Sequence, residues 1–145
     1  PVTWEMVEMF MATARADNYN EAGVATAVAF AGLFRMGELT STDSRLFDPM
    51  RDLCESDLDF RPDFWNATEV ILQLRATKAD QTGQKARLRP RFLPVDQSLN
   101  SPGKLLQEMI ARRYRLQFGM QPNLTNLPLF REKGGGQLKR TSVMT

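Results

Sequence analysis

The chain of 145 residues contains no histidine and a single cysteine. Without histidine there is no Ser-His triad and no Cys/His zinc site. Cys54 has no partner for an internal disulfide and no histidine to activate it, so it reads as a small buried hydrophobe rather than a nucleophile. No apolar run approaches the roughly 20 residues a membrane span needs. The opening residues, PVTWEMVEMF, carry two glutamates and no basic stretch, which excludes a signal peptide in them. There are no internal repeats. The run GGG at 134–136 lacks the strand, helix and Lys-Ser/Thr of a phosphate loop.

What remains is the composition of one globular domain, 42% hydrophobic and 25% charged. The net charge of +2 hides a division. Residues 1–74 hold five basic and 13 acidic side chains, whereas 75–145 hold 14 basic and four acidic. Either one surface faces a polyanion, or the two halves attract each other within one fold.

Helical spacing of Trp4, Val7, Phe10 or Met11, and Ala14 predicts a helix over about 3–15. Asn18 or Asn20 would cap a second helix, about Glu21–Leu39, apolar on most sides and therefore buried with its aromatic and methionine side chains. Residues 40–66 are irregular, with a short strand or helix near LCESDLDF. EVILQLRAT alternates as a half-buried strand, KADQTGQ turns, and KARLRPRFLPV returns as an antiparallel partner. Pro90 predicts that this second strand lies at a sheet edge. Its alternation puts Ala86, Leu88, Pro90 and Phe92 on one face and Lys85, Arg87, Arg89 and Arg91 on the other. Ser101 as N-cap and Pro102 at the first position open a helix with Leu105 or Leu106, Met109, Ile110 and Arg113 along one stripe, ending before Gly119. REKGGGQ reads as a flexible basic loop, and LKRTSVMT as the start of a further helix. The fold class predicted is α+β, mainly helical with a small antiparallel sheet, in a single domain.

Six basic residues and only Asp80 lie between Arg75 and Arg91. Cations at every second position of a twisted hairpin can follow a phosphate backbone. The competing explanation is that Lys and Arg guard an edge strand against aggregation. Arg35 and Glu38, an i, i+3 pair at the end of an apolar helix, contribute only a few tenths of a kcal/mol if exposed, roughly. A guanidinium there also suits a phosphodiester, because its planar fork donates to two oxygens.

In order, FAGLFRMGELT, LFDP, SDLDF, LRATKADQTGQ, the basic strand, an Arg-rich helix and LPLF resemble the tyrosine recombinase (phage-integrase-type) catalytic domain. The likeness is greatest to versions from eukaryotic mobile elements of the DIRS and crypton type, and it spans about Trp4 to Thr145. Its most specific parts are Arg-x-Gly-Glu-Leu at Arg35–Leu39 and Thr-Lys-x-Asp at Thr77–Asp80. The resemblance implies that Arg35 neutralises the scissile phosphate and that Lys78 protonates the leaving 5′-oxygen. It implies that Glu38 supports the arginine-bearing helix and Asp57 holds a structural acidic position. Arg75, Lys85, Arg87, Arg89 and Arg91 would bind double-stranded DNA. No metal or other cofactor is implied. The expected parent function is site-specific strand cleavage and rejoining in integration or transposition, on a homo-oligomer assembled on DNA, away from membranes. It would act in the nucleus of a eukaryote, or in the cytoplasm or nucleoid otherwise.

The family's second box, a His or Lys two residues before an arginine, and its nucleophilic tyrosine have no counterpart here. Both would lie downstream of LKRTSVMT. Neither Tyr19 nor Tyr114 matches the nucleophile, so the chain itself is expected not to cleave DNA. Three other classes stay open: a catalytically dead, domesticated DNA-binding module, an RNA-binding domain, and a protein-interaction fold whose basic strand only protects an edge.

Overall fold

The computed structural model describes residues 2–32, 34, 39–40, 46–74, 89–98 and 100–139. The first helix, α1, runs Trp4–Ala16, and the Thr3 side chain caps it by accepting the Met6 N–H. Val7, Met11 and Ala14 form its buried stripe. Trp4, expected on that stripe, is the first residue of the helix and is 51% exposed.

The helix α2, Glu21–Gly32, follows a turn in which Asn18 and Tyr19 both take positive φ, 54° and 57°. Asn20 provides the cap, its side-chain oxygen accepting the Gly23 N–H at 3.1 Å. Val24, Ala25, Ala27, Val28 and Ala29 are buried, as an apolar helix requires. The helix is shorter than its sequence predicts. Past Gly32 the Phe34 N–H reaches back to the Ala29 carbonyl at 2.9 Å, a five-residue span that closes the last turn. A second departure is Phe30, 39% exposed and stacked on Phe10 at 5.2 Å, where the core was expected.

The uncertain LCESDLDF segment contains both alternatives. Glu55–Asp57 form a single 3-10 turn and Leu58–Arg61 the strand β1. The Asp57 carboxylate accepts the Cys54 N–H at 2.8 Å, and Cys54 itself is fully buried. The strands β2, Glu69–Leu74, and β3, Arg89–Pro94, complete an antiparallel sheet of order β1-β2-β3. Among the described strands β3 is an edge, as Pro90 requires.

Helix α3, Pro102–Arg113, opens as its sequence predicts, with Ser101 accepting the Lys104 N–H. It ends at Arg113, before Gly119 as expected: Arg115 turns to φ 52° and the Leu116 N–H closes on the Ala111 carbonyl at 2.9 Å. Helices α2 and α3 pack against each other and on β3, and α1 packs along α2. The result is a small α+β fold. The segment REKGGGQ, expected to be flexible, is a closed turn. Arg131 bridges to Gln137, and the Glu132 N–H bonds the Gly136 carbonyl at 2.7 Å. Residues 140–145, where a further helix was expected, lie outside those described. Among the described residues no helix is long and apolar enough to cross a membrane.

The contact between α3 and β3 sets a sharp test. A Cβ added at Gly103 would lie 2.4 Å from the Pro94 carbonyl oxygen and 2.5 Å from Val95 Cγ2. Glycine to alanine inside a helix ordinarily stabilises by up to about 1 kcal/mol. Here the sign should reverse, and Gly103→Ala should lower unfolding free energy by about 1–3 kcal/mol in urea titrations.

Candidate nucleic-acid interface

Of the residues singled out from sequence, Arg35, Glu38, Arg75, Lys78, Lys85 and Arg87 lie outside those described. Arg89 is placed by its backbone opposite Leu74. Arg91 pairs with Leu72 in the register, and its guanidinium lies over the Phe34 ring, 5.6 Å from the centroid. Phe34 directly precedes Arg35 in the chain. The Asp57 carboxylate accepts the Cys54 N–H within the 3-10 turn.

The face of β3 is the reverse of what its alternation suggested. Leu93 is 1% exposed and Phe92 59% exposed. Leu93 stands opposite Val70, and Arg91 opposite Leu72, on the face that the buried side chains of β2 turn to the helices. The strand contains two competing cues, because Arg89, Arg91, Leu93 and Val95 have the same parity. The apolar end of that row, Leu93 and Val95, is buried and decides the matter. Burying Leu93 stabilises by about 1.5–3 kcal/mol. Arg91, of the same parity, therefore ends half-buried on the Phe34 ring.

At the start of α2 lies a polar cluster that sequence patterns did not reveal. The Glu55 side chain has no exposed surface. Its carboxylate accepts from Arg113 Nη1 at 2.7 Å, Arg131 Nη2 at 2.8 Å, Thr125 Oγ1 at 2.8 Å and the Thr125 N–H at 3.1 Å. The Tyr114 hydroxyl donates to it as well. Glu21 Oε1 accepts from Arg113 Nη2 at 2.7 Å and from the Arg131 N–H at 2.6 Å. The start of α2, the 3-10 turn, the end of α3 and the 125–131 segment thus meet at two carboxylates and two guanidinium groups. A second tie, Arg15 to Glu108 at 2.9 Å with the Tyr19 hydroxyl donating to the same carboxylate, joins the end of α1 to α3. The only sequence signals were Arg113 on an otherwise apolar stripe and the opposed charge of the two halves.

The opposed charge therefore has an internal use: Glu21 and Glu55 of the acidic half meet Arg113 and Arg131 of the basic half. Other cations are left over. Arg91, Arg112, Arg115, Lys133 and Lys139 make no ion pair with a carboxylate among the described residues. Arg112 lies over the Tyr19 ring at 5.1 Å and donates to the Asn18 side chain. A shallow groove of about 680 Å³ borders it, lined by Asn18, Tyr19, Arg112, Arg113 and Arg115. Among the described residues no group of three or more Cys, Asp or Glu side chains is placed to hold a metal ion. No protein-family model, curated protein or solved structure matches the chain.

Burial by itself would raise the pKa of Glu55, but the hydrogen bonds from Tyr114, Arg113 and Thr125 outweigh it and hold the carboxyl below its usual value. Because the folded pKa lies below the unfolded one, this stabilisation is present above the ordinary glutamate range. It is lost as pH falls through the folded value. Acid unfolding of the wild type should steepen in that window. Glu55→Gln, which leaves two buried guanidinium groups short of a countercharge, should cost about 3–5 kcal/mol at neutral pH and remove that acid-sensitive component. Urea titrations across a pH series measure both.

Proposed function

We propose that this chain binds double-stranded DNA through β3 and other cations that lack a carboxylate partner, as the DNA-binding part of a tyrosine recombinase that cleaves and rejoins strands in integration or transposition. The observation that carries the proposal is the distribution of ion pairs. Glu21, Glu55 and Glu108 are taken up by Arg113, Arg131 and Arg15. Arg91, Arg112, Arg115, Lys133 and Lys139 are left without a carboxylate among the described residues. Cations with no carboxylate partner keep their attraction for phosphate. The ordered boxes at Arg35–Leu39 and Thr77–Asp80 narrow the polyanion to a DNA strand undergoing phosphoryl transfer. On this proposal Arg35 offsets charge on the non-bridging oxygens and Lys78 supplies the proton to the leaving 5′-oxygen.

A second function has one observation in its favour. Trp4, Met9 and Phe30 leave apolar surface exposed on the α1–α2 pair. Exposed apolar side chains of that kind suit a protein partner. A catalytically dead module that binds protein would use that face and be indifferent to DNA.

Duplex binding measured by fluorescence anisotropy separates the two. The DNA proposal expects affinity to fall with salt along a log–log slope of about −3 to −5, corresponding to three to five phosphate contacts. Absence of binding at low salt would retire it. The same 145 residues should form no covalent adduct with a labelled nicked duplex. Both tyrosines have hydroxyls engaged by carboxylates, Tyr19 with Glu108 and Tyr114 with Glu55. Burial and the Glu108 bond also push the Tyr19 phenol above its usual pKa. A labelled band that survives denaturation would contradict this expectation.

A further inference from the structure

The end of α2 is built around one aromatic ring. Phe34 is 8% exposed and lies back over Gly32, where an added Cβ would come within 2.2 Å of the ring and 3.1 Å of Leu93 Cδ2. Glycine at this position lets the ring and Leu93 share the same space above the last helical turn. The Arg91 guanidinium covers the ring from the strand side. No basic residue stands in the last turn of α2, so no side chain of the helix itself offsets the partial negative charge of its terminal carbonyls.

A cation–π contact and a helix dipole would account for a cation there, but not for a guanidinium whose N–H groups have no acceptor. The other arginines packed into this fold do have acceptors. Arg15 reaches Glu108, Arg113 reaches Glu21, Glu55 and the Leu129 carbonyl, and Arg131 reaches Glu55 and the Pro128 carbonyl. Arg112, the other guanidinium laid on a ring, has Asn18. Arg91 has no hydrogen-bond acceptor among the described residues, although it is half-buried and its ring support is held in place by Gly32 and Leu93. A planar fork fixed in orientation with its donors unused is arranged to receive an anion with two oxygens.

We propose that Arg91, laid on Phe34, is a preorganised phosphodiester contact where β3 meets the C-terminal end of α2. The inference rests on the DNA-binding function proposed above, and it assigns Arg91 a role different from that of a solvent-facing member of a basic row. Its orientation is set by the ring, so geometry as well as charge should matter.

The test compares duplex binding of four variants, each checked for an unchanged circular dichroism spectrum. Arg91→Ala should weaken binding about tenfold at fixed salt and reduce the magnitude of the salt slope by about one. Arg91→Lys should keep the slope yet lose affinity, because an ammonium cannot form the fork. Phe34→Leu should do the same, because the cation remains but is no longer held. Arg61→Ala, which removes an exposed arginine already paired with Asp59, should change nothing. If the wild type binds and Arg91→Ala behaves like Arg61→Ala, the inference is overturned while the DNA proposal stands. A second readout does not need DNA: the Arg91 Nε–H resonance followed by NMR during titration with inorganic pyrophosphate. A saturable shift in a protein that ignores duplex DNA would keep the anion site and retire the DNA proposal. No shift would overturn the inference.

Discussion

A carboxylate with no exposed surface is the constraint on which much of this structure depends. Removing an ion from water costs several kcal/mol, approximately, unless charge and hydrogen bonds replace the solvent. Glu55 obtains both from two arginines, a tyrosine and a threonine that belong to separate segments. Together these donors hold the carboxyl below its usual pKa despite its burial. The cluster therefore fixes where α3 ends, how the 125–131 segment crosses behind the 3-10 turn, and where α2 begins. It specifies an arrangement more than it adds net stability, since buried pairs often do little better than an apolar replacement.

At the other end of α2 the constraint is steric rather than electrostatic. Gly32, Phe34 and Leu93 occupy one small volume, and they bring the sheet edge against the segment that continues to Arg35. The two ends of α2 thus differ in kind. At the start Glu21 is ion-paired with Arg113 and accepts the Arg131 backbone N–H. The end is approached by an arginine with no described acceptor. A positive charge so placed is available to a ligand in a way that the internal pairs are not.

The opposed charges of the two halves allowed two explanations, and each accounts for part of the chain. Arg113 and Arg131 hold the fold together, while Arg91, Arg112, Arg115, Lys133 and Lys139 are directed to no carboxylate among the described residues. A count of charges cannot separate these groups, because both contribute equally to the total. Position relative to Glu21 and Glu55 separates them.

Local features were legible without coordinates. Helix α1, the Asn20 and Ser101 caps, the edge position of β3 and the buried Cys54 follow from spacing, capping chemistry and the missing N–H of proline, which act within a few residues. The end of α2 was misplaced because it depends on a ring folding back over Gly32 against a strand some 60 residues away. The buried face of β3 was inverted because Arg89–Arg91 and Leu93–Val95 have one parity, and alternation alone gives no reason to prefer the apolar end. The Glu55 cluster was invisible for a related reason: its members, at positions 21, 55, 113, 114, 125 and 131, are neighbours only after folding. The chain by itself therefore determined its elements and its α+β class. Tertiary structure decided which cations are internal and which face outward, because that choice rests on long-range pairing and on the cost of burying charge.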